Sequence, residues 1–297
     1  MPTRPAAEVT ITPELVHALL TAQHPDLAAL PVGPAAEGWD NVTVPLGDTL
    51  AIRLPRRTEG VELIRNEQRW LPRLAAHSPL PIPAPLRTGT ATPDYPWPWS
   101  VVPWFEGETA ASRPVGSRTG WATTLAEALG ALHAVEAPPD APLNPVRGGD
   151  LRGRETALTE RVRAGHLDGL VPDARDRAVE LWSRAVTAPR WPHAPRWVHG
   201  DPHPANLLVR GGRLVALLDF GDLTAGDPAC DLATAWLTFD RDGRDAFRSR
   251  TDPADDPALW DRAAGWALVM ASAMCAHSDD DPVIGAIGRH AVRELLR

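Results

Sequence analysis

The chain has 297 residues, enough for one large domain or two modest ones that each bury a hydrophobic core. Its formal net charge of -8 argues against nucleic acid as the main partner, and because all 30 basic residues are arginine, Schiff-base chemistry on lysine is excluded. The two cysteines lack metal-type spacing, and without a leader-like start or a run of about 18 apolar residues we expect a cytoplasmic protein with no membrane partner.

The first third of the chain has the pattern of an antiparallel sheet with two helices. In chain order we expect a helix from Thr12, β-type runs over 38–54 that turn at Gly47-Asp48, a helix from about Thr58 to His77, and strands on either side of a turn at 93–98. The Gly-Asp pair between two β-type runs is a hairpin signal, and the proline-rich stretch after His77 ends the helix.

The pattern becomes mostly helical after Gly107. Helices are predicted over 121–135, 150–164 and 173–186, followed by a compact β-rich insert over 196–222 with a second hairpin at Gly211-Gly212, and then by further helices to the end of the sequence. This succession predicts an α+β protein in two lobes. We place the boundary within 103–108, which gives an N-terminal lobe of residues 1–104 and a C-terminal lobe of residues 105–297.

The richest segment for chemistry is 197–222. It contains His199-Gly200-Asp201, then Asn206 five positions after the aspartate, then a hairpin, and then Asp219-Phe220-Gly221. Phosphoryl transfer needs one acceptor group to orient and deprotonate the attacking hydroxyl, and oxygen ligands that fix Mg²⁺ against the phosphates. The segment supplies these groups in that order.

The same segment carries a family resemblance. Protein kinases have H-R-D-x-x-x-x-N followed by D-F-G, and a glycine at the second position is what small-molecule kinases similar to aminoglycoside phosphotransferases show. The resemblance extends from residues 38–41 to Asp231. It implies a bilobal protein-kinase-like fold, with an antiparallel sheet and helix in the N-lobe and a mostly helical C-lobe. It also implies that Asp201 is the catalytic base and that Asn206 and Asp219 bind Mg²⁺.

The nucleotide side of the expected cleft departs from the kinase pattern. A kinase places a strand lysine, held by a helix glutamate, over the phosphates of the nucleotide. Here the matching residue is Arg53, with Glu67 as its expected partner and Glu62 as the alternative; an exposed strand arginine is the competing interpretation. The base of ATP, or of GTP, is expected at the linker backbone of 102–105, represented by Val102 and Trp104.

Other polar residues of the segment have more than one interpretation. His199 and His203 with Asp201 could belong to a transition-metal hydrolase, although such a site needs further ligands. We favour a buried His199 that bonds the loop backbone, while His203 either lines the site or is solvated. Asp227 and Asp231 start the next helix, where carboxylates favour the free N–H groups, and the resemblance implies that they support the catalytic loop.

The acceptor is the least defined part of the prediction. Residues 219–281 contain fourteen Asp, no Glu and five Arg, which would suit a cationic substrate or simply a solvated surface. Trp236, Trp260 and Trp266 are either a substrate wall or core. The leading hypothesis is O-phosphorylation of an antibiotic such as an aminoglycoside or a macrolide. The alternatives are a metabolite kinase for an amino alcohol, homoserine or a sugar derivative, and a non-catalytic nucleotide-binding module.

Overall fold

The computed structural model describes residues 5–251 and 256–297. The helices are α1 Pro13–Gln23, α2 Gly60–Leu74, α3 Ala122–His133, α4 Glu155–Arg163, α5 Ala174–Thr187, α6 Ala229–Leu232, α7 Thr234–Thr238, α8 Arg241–Arg248, α9 Leu259–Ala276 and α10 Pro282–Leu296. The strands are β1 Ala36–Glu37, β2 Asn41–Leu46, β3 Leu50–Pro55, β4 Arg87–Gly89, β5 Trp99–Pro103, β6 Glu108–Thr109, β7 Arg196–Val198, β8 Leu207–Arg210, β9 Arg213–Leu217 and β10 Thr224–Gly226. The α+β prediction is confirmed.

The N-terminal part is an antiparallel sheet in the order β1-β2-β3-β5-β4. Strands β2 and β3 pair up to Leu46 and Leu50, and Gly47 takes a positive φ of 59° in the loop between them, which confirms the first hairpin. One sheet face is apolar, because alternate residues such as Val44 and Ile52 point to the same side. Helix α1 packs there through Val16, Leu19 and Leu20.

The opposite face of the same sheet carries the polar side chains of Arg53 and Ser100 and faces α2. Arg53 lies at the centre of this face, because β3 runs between β2 and β5 and Arg53 is in register with Ser100. The side-chain amide of Gln68 on α2 donates to Ser100 Oγ at 3.1 Å and to the backbone oxygen of Trp99 at 2.9 Å. These bonds fix the helix over the sheet and bring Glu67, one residue away, to Arg53.

The C-terminal part is mostly helical, with two small antiparallel sheets at the expected β-rich insert. Strand β7 pairs with β10, while β8 lies between β6 and β9. Gly211 and Gly212, both at positive φ, join β8 to β9 and confirm the second hairpin. The long helix α9 packs on α10, α5 and α6.

Two hydrophobic clusters are found in the described residues. The smaller one lies between α1 and the N-terminal sheet, and the larger one joins the C-terminal helices. The larger cluster also contains Trp70, Leu71 and Leu74 from the second half of α2. The second half of α2 therefore packs with the C-terminal core, and the lobe division at 104/105 stays a prediction.

The tryptophans of the C-terminal helices belong to the core. Trp266 is 1% exposed and Trp236 is 8% exposed, and the ring of Trp236 lies 5.9 Å from that of Trp260. Trp236 and Trp266 are therefore core residues, and Trp260 packs against this core but is only partly buried. Among the helices of the described residues, none is both long and apolar enough to cross a membrane.

Candidate active site

The segment His199-Gly200-Asp201 directly follows β7 and is held in place by one buried carboxylate. Asp231 accepts the backbone N–H of His199 through Oδ2 and that of Gly200 through Oδ1, both at 2.8 Å. Its Oδ2 also lies 2.8 Å from Nε2 of His133 on α3. Because Asp231 is fully buried on α6, it ties the loop to the helical core, which confirms its supporting role.

Gly200 is required by the local backbone geometry. Its φ is +91°, in the region that favours glycine, and a Cβ at this position would lie 2.3 Å from the backbone oxygen of Asp222. The glycine therefore lets the loop after β7 pass close to Asp222, in the segment that follows Asp219-Phe220-Gly221.

The side chain of His199 links the loop after β7 to Leu218, the residue before Asp219. It is fully buried, its Nε2 lies 3.0 Å from the backbone oxygen of Leu218, and the backbone N–H of Asp201 donates to its Nδ1 at 3.3 Å. These contacts assign the proton to Nε2, because Nδ1 is the acceptor. The prediction of a buried histidine that bonds the loop backbone is confirmed.

Asp201 lies between the imidazole of His203 and the guanidinium of Arg147. Oδ2 is 3.4 Å from Nε2 of His203, and Oδ1 is 3.6 Å from Nη2 of Arg147. Burial acts to raise the pKa of Asp201, but the charges of His203 and Arg147 outweigh it and hold the pKa well below its usual range. Asp201 is therefore ionised at neutral pH, and its Oδ1 is a buried oxygen without a hydrogen-bond donor in the described residues.

His203 lines this site and is not solvated. It is 7% exposed, its Nδ1 accepts the backbone N–H of Ala205, and its Nε2 faces Asp201. Burial lowers the pKa of His203, but the neighbouring Asp201 carboxylate outweighs burial and raises the pKa above its ordinary value.

Asn206 and Asp219 are brought together by the backbone. The N–H of Leu218 donates to the backbone oxygen of Asn206 at 2.8 Å, which places Asn206 beside the residue before Asp219. The side-chain Nδ2 of Asn206 donates to the backbone oxygen of Asp201 at 2.9 Å, so its Oδ1 is the atom left for a cation. Asp219 has a half-exposed carboxylate and a positive φ of 55°.

Arg53 connects the N-terminal sheet to this group. Its Nε and Nη2 each donate to a different oxygen of Glu67 at 3.0 Å, and Nη2 also donates to Oδ1 of Asp219 at 2.8 Å. The structure therefore pairs Arg53 with Glu67, whereas the alternative partner Glu62 is exposed and contacts Arg65. The Arg53 side chain is only 12% exposed and lies on a central strand, so its interpretation as an exposed strand arginine is wrong.

The three charges of this cluster influence one another. Burial of Glu67 raises its pKa even though Arg53 acts in the other direction. Burial would also raise the pKa of Asp219, but the charge of Arg53 and the hydrogen bond from it lower that pKa below its ordinary value. Arg53 stays protonated and partly neutralises both acids.

Of the predicted base-binding residues, Val102 lies on the strand β5 that pairs with the strand of Arg53, and Trp104 directly follows β5. Val102 is buried on β5 and pairs with Ala51, two residues before Arg53 on β3. The backbone N–H of Trp104 donates to the oxygen of Thr49 at 2.8 Å, so this N–H is not free for a nucleotide base. The Trp104 side chain is 39% exposed.

The donor set fits a hard divalent cation. Asn206 Oδ1 and the half-exposed carboxylate of Asp219 are oxygen ligands, the type that Mg²⁺ takes together with phosphate oxygens and water. Within residues 5–251 and 256–297, no group of three or more His, Cys, Asp or Glu side chains is placed to hold a metal ion. A catalytic zinc site typically has three protein ligands.

Sequence reasoning missed Arg147. This residue lies 54 positions before Asp201 in a proline-rich connection, yet its guanidinium faces Asp201 Oδ1 and also Asp222 Oδ2, the latter at 3.5 Å from Nε. Asp222 in turn accepts a hydrogen bond from Asn144 Nδ2 at 2.7 Å. The only sequence signal was an arginine followed by two glycines, which indicates a loop but no partner.

Asp227 has a structural role, as expected from its position before a helix. It accepts the N–H of Ala229 at 2.9 Å, at the start of α6. It also pairs with Arg262 of α9 at 2.6 Å, and Arg262 pairs on its other side with Asp256. Asp227 and Asp256 thus form ion pairs that stabilise the fold. The acids at 252 and 255 lie outside the described residues.

The comparisons with known proteins agree with this arrangement. The model of the phosphotransferase enzyme family matches residues 32–266, whereas no curated protein matches the chain. Among solved structures, the GDP and kanamycin complex of APH(2")-IIia is 20% identical with a TM-score of 0.67, and the match covers 94% of this chain and 97% of that one.

Two further solved structures cover almost the whole chain. The macrolide 2'-phosphotransferase MphH from Brachybacterium faecium is 21% identical with a TM-score of 0.62, and covers 96% of this chain and 98% of its own. The streptomycin-ATP-APH(2")-IIa ternary complex is 16% identical with a TM-score of 0.60, and covers 92% and 93%. At these identities the likeness establishes the fold alone.

Proposed function

The chain belongs to the phosphotransferase enzyme family, and on this basis we propose that it transfers the γ-phosphate of ATP or GTP to a hydroxyl group of a small molecule. The observation that carries the proposal is the position of the Asp201 carboxylate beside the two candidate metal ligands. Asn206 Nδ2 donates to the backbone oxygen of Asp201, and the N–H of Leu218 donates to that of Asn206, so Asn206 and Asp219 lie next to the same loop.

In the proposed reaction Asp201 orients the acceptor. The acceptor O–H donates to the carboxylate, and its oxygen attacks the γ-phosphorus. The bond from that phosphorus to the bridging oxygen breaks, the nucleoside diphosphate leaves, and the acceptor proton passes to Asp201. A carboxylate with a lowered pKa is a weak base, but in a loose transition state the positioning of the hydroxyl is its main contribution.

The phosphates would be held from the N-lobe by Arg53. Its Nε and Nη2 are engaged by Glu67 and Asp219, so Nη1 is the guanidinium nitrogen that would reach the nucleotide. Asn206 and Asp219 would hold Mg²⁺, which when bound neutralises charge on the phosphates. The base would lie against the β5 end at Val102 to Trp104, through groups other than the N–H of Trp104.

ATP is the proposed donor and GTP the second candidate. Solved structures of similar fold were determined with GDP, with ATP and with ADP, so the fold is compatible with either base. Comparison of the two triphosphates at equal concentration, by diphosphate release, identifies the donor.

An antibiotic such as an aminoglycoside or a macrolide is the first candidate acceptor. Its support is that the solved structures of similar fold carry kanamycin, streptomycin or gentamicin, or are macrolide phosphotransferases. A metabolite such as an amino alcohol, homoserine or a sugar derivative is the second. Three of the acids of 219–281, namely Asp227, Asp231 and Asp256, are buried and paired, so these three do not contribute to a surface for a polycationic antibiotic.

The test is nucleotide consumption by the purified protein with Mg²⁺, with ATP or GTP, against a panel of aminoglycosides, macrolides and small alcohols. Asp201→Asn keeps the shape of the side chain and removes its charge. We expect turnover to fall by about 10²-fold or more while the nucleotide dissociation constant changes by less than about twofold.

The matched control is the same change at the exposed Asp94, which should leave turnover as it is. Full turnover in Asp201→Asn, or no consumption of either nucleotide by the wild type with any acceptor, would contradict the proposed function. The second result would instead favour a non-catalytic nucleotide-binding module.

A further inference from the structure

Two arginines of the α4 region lie beside its buried residues. Arg154 directly precedes α4 and Arg161 follows seven residues later, so about two helical turns place both on one side of the helix. Leu158, which lies between them on that side, is buried. Both arginines are partly buried, whereas Arg163 on the other side of α4 is exposed. The two guanidinium groups therefore belong to the side of α4 that packs on the rest of the C-terminal part.

Both guanidinium groups keep free donors. Arg154 Nη1 donates to the backbone oxygen of Pro145 at 3.2 Å. Arg161 Nη1 lies 3.5 Å from the backbone oxygen of Val269 and 3.5 Å from Ser272 Oγ, both on α9. Nε and Nη2 of each arginine have no hydrogen-bond partner among the described residues, and none of these four nitrogens is a buried atom. They are therefore available to a ligand.

The segment 142–148, which Arg154 contacts through Pro145, lies beside the catalytic loop. The N–H of Asp227 donates to the oxygen of Gly148, which fixes the end of this segment. The guanidinium of Arg147 in the same segment lies 3.6 Å from the Asp201 carboxylate, whose side chain is 22% exposed. The segment therefore connects the free arginine donors to the proposed catalytic base.

The charges around Arg161 are mainly positive. Burial lowers the pKa of Arg161, and the charges of Arg154 and Arg147 lower it further, whereas the charge of Glu160 acts in the opposite direction. Arg154 and Arg161 bond only to backbone and hydroxyl oxygens, and neither forms an ion pair within the part of the chain that the structure describes. Three guanidinium groups thus lie near one another, and two of them have no carboxylate partner.

An oxyanion is the kind of group that this arrangement fits. Guanidinium groups donate in a planar fork that matches the oxygens of a carboxylate or a phosphate. A partly buried cation without an acid partner is unusual, because desolvated charges are normally paired. A polycation would instead bring further positive charge beside Arg147, Arg154 and Arg161, and such like-charge contacts oppose binding.

We propose that Arg154 and Arg161 bind an anionic group of the acceptor, a carboxylate or a phosphate, while the acceptor hydroxyl lies at Asp201. The proposal rests on the proposed function and narrows its acceptor to an anionic alcohol, such as a hydroxy acid or a sugar phosphate. It ranks the metabolite candidates above a polycationic aminoglycoside. The anionic group takes no part in the transfer and only positions the hydroxyl.

A structural role is the competing explanation for these arginines. In that case Arg161 only attaches α4 to Val269 and Ser272 of α9, and Arg154 only holds Pro145. Their loss would then lower stability and reduce turnover of every acceptor by the same factor. The experiment must therefore compare acceptors that differ in charge and not in shape.

Two sets of charge-matched acceptors make this comparison. The first is glucosamine, glucose, glucuronate and glucose 6-phosphate, and the second is ethanolamine, ethylene glycol and glycolate. Diphosphate release from the donor nucleotide with Mg²⁺ gives kcat/KM for each acceptor. We expect the anionic member of a set to exceed its neutral member by at least about tenfold, and the cationic member to fall below it. The better of glucuronate and glucose 6-phosphate distinguishes a carboxylate from a phosphate.

The variants are Arg154→Gln and Arg161→Gln, with Arg163→Gln as the matched control on the exposed side of α4. The ratio of kcat/KM between the anionic and the neutral acceptor should fall at least about fivefold in each of the first two and stay within about twofold in the control. Arg161→Lys, which keeps the charge but not the fork, should retain an intermediate ratio. The thermal midpoint of each variant reports any loss of stability.

Inorganic phosphate tests the site without turnover. With Mg²⁺ and a nonhydrolysable ATP analogue at saturation, so that the nucleotide site is occupied, titration calorimetry should detect phosphate binding at millimolar concentration. Wild type and Arg163→Gln should bind equally, and Arg161→Gln should bind at least about fivefold more weakly.

Failure of this proposal is distinct from failure of the proposed function. Consumption of nucleotide that only neutral or cationic acceptors stimulate, an equal loss for all acceptors in the two arginine variants, or no phosphate binding by wild type overturns the anionic acceptor and leaves phosphotransfer in place. A wild type that consumes no nucleotide with any acceptor overturns the proposed function, and phosphate binding that Arg161→Gln weakens would then indicate an anion site without a transfer reaction.

Discussion

Gly200 shows how a single residue sets the backbone conformation of the loop that carries Asp201. Its positive φ and the 2.3 Å distance from a built Cβ to the oxygen of Asp222 are two separate reasons for glycine. Any side chain at this position must push apart the loop that carries Asp201 and the segment that follows Asp219, and therefore changes the site as well as the fold.

Gly200→Ala should lower the free energy of unfolding by about 2 kcal/mol or more, because both backbone strain and the contact with Asp222 oppose it. Gly130→Ala is the matched control, since a Cβ there meets nothing within 4 Å and Gly130 is inside α3. We expect that control to stabilise the protein by about 0.5–1 kcal/mol. Denaturant unfolding measures both, and equal effects would contradict the argument.

The pH dependence of stability should carry a contribution from His203. Its pKa in the folded state is raised, so protonation stabilises the fold below the unfolded-state pKa of His, and this contribution is lost as pH rises through the folded pKa. The unfolding free energy of wild type should therefore fall more between pH 6 and pH 9 than that of His203→Asn. Parallel pH curves for the two proteins would show that His203 does not titrate in this way.

At the residue scale, the sequence predicted what lies close together in the chain. The order of Asp201, Asn206 and Asp219 was readable because a short loop and a hairpin connect them. Arg147 could not be predicted, since it reaches Asp201 through tertiary contacts between 142–148 and 222–227. Neither segment has a sequence pattern that predicts contact with the other.

At the scale of elements, the short helix α6 supplies the side chain that holds the loop after β7 in place. Its residue Asp231 holds the loop after β7 through two backbone N–H groups and contacts His133 of α3. One buried side chain thus joins three elements whose hydrogen-bonding groups have little access to water.

Asp231→Asn should destabilise the protein by about 2–4 kcal/mol, because an amide nitrogen would face buried N–H donors that have no other acceptor. Asp242→Asn at the exposed start of α8 is the control and should change the unfolding free energy by less than about 0.5 kcal/mol. The measurement is urea unfolding at pH 7, and a loss no larger than that of the control would mean that the loop is held by other contacts.

Helix α9 is attached by a charged contact as well as by its apolar face. Arg262 is 4% exposed and lies between Asp227 and Asp256, so it joins α9 to the start of α6 and to the chain before α9. Removal of one charge from a buried group leaves its partners without compensation. Arg262→Met should therefore cost about 3–5 kcal/mol in unfolding free energy.

The matching triple variant separates charge from packing at Arg262. Arg262→Met with Asp227→Asn and Asp256→Asn removes all three charges, and we expect it to be more stable than Arg262→Met alone in the same unfolding experiment. A further loss in the combined variant would mean that the two acids are stabilising without the arginine.

The element types were predictable because their patterns are local. The hairpins at Gly47 and at Gly211-Gly212 have turn residues that fix the chain direction within a few positions. The assignment of α2 to one lobe was less complete, since its second half contributes Trp70, Leu71 and Leu74 to the core of the C-terminal part. A helical pattern shows that a face is buried, but not which core covers it.

On the scale of the whole molecule, the predicted nucleotide lobe and the C-terminal part meet at a charged contact. Arg53 of β3 donates to Glu67 of α2 and to Asp219 beyond β9, so the N-terminal sheet and the C-terminal part share one guanidinium. The N–H of Leu217 also donates to the oxygen of Pro81 near this boundary.

Arg53→Met should change the affinities for magnesium and for nucleotide in opposite directions. Without the arginine, Asp219 has no competing cation and should bind Mg²⁺ more tightly in the absence of nucleotide, whereas ATP should bind more weakly. Titration calorimetry measures both, with the exposed Arg65→Met as the control. Weaker binding of both ligands would mean that Arg53 does not compete at Asp219.

The contact between Arg53 and Asp219 has a consequence for the proposed function. Arg53 is the counter-ion of the Asp219 carboxylate, so a divalent ion that binds this carboxylate would compete with the guanidinium. A triphosphate would offer the guanidinium a second anion and would weaken its hold on Asp219. Under the proposed function, metal that arrives already chelated by its nucleotide would therefore meet less competition at Asp219 than free metal.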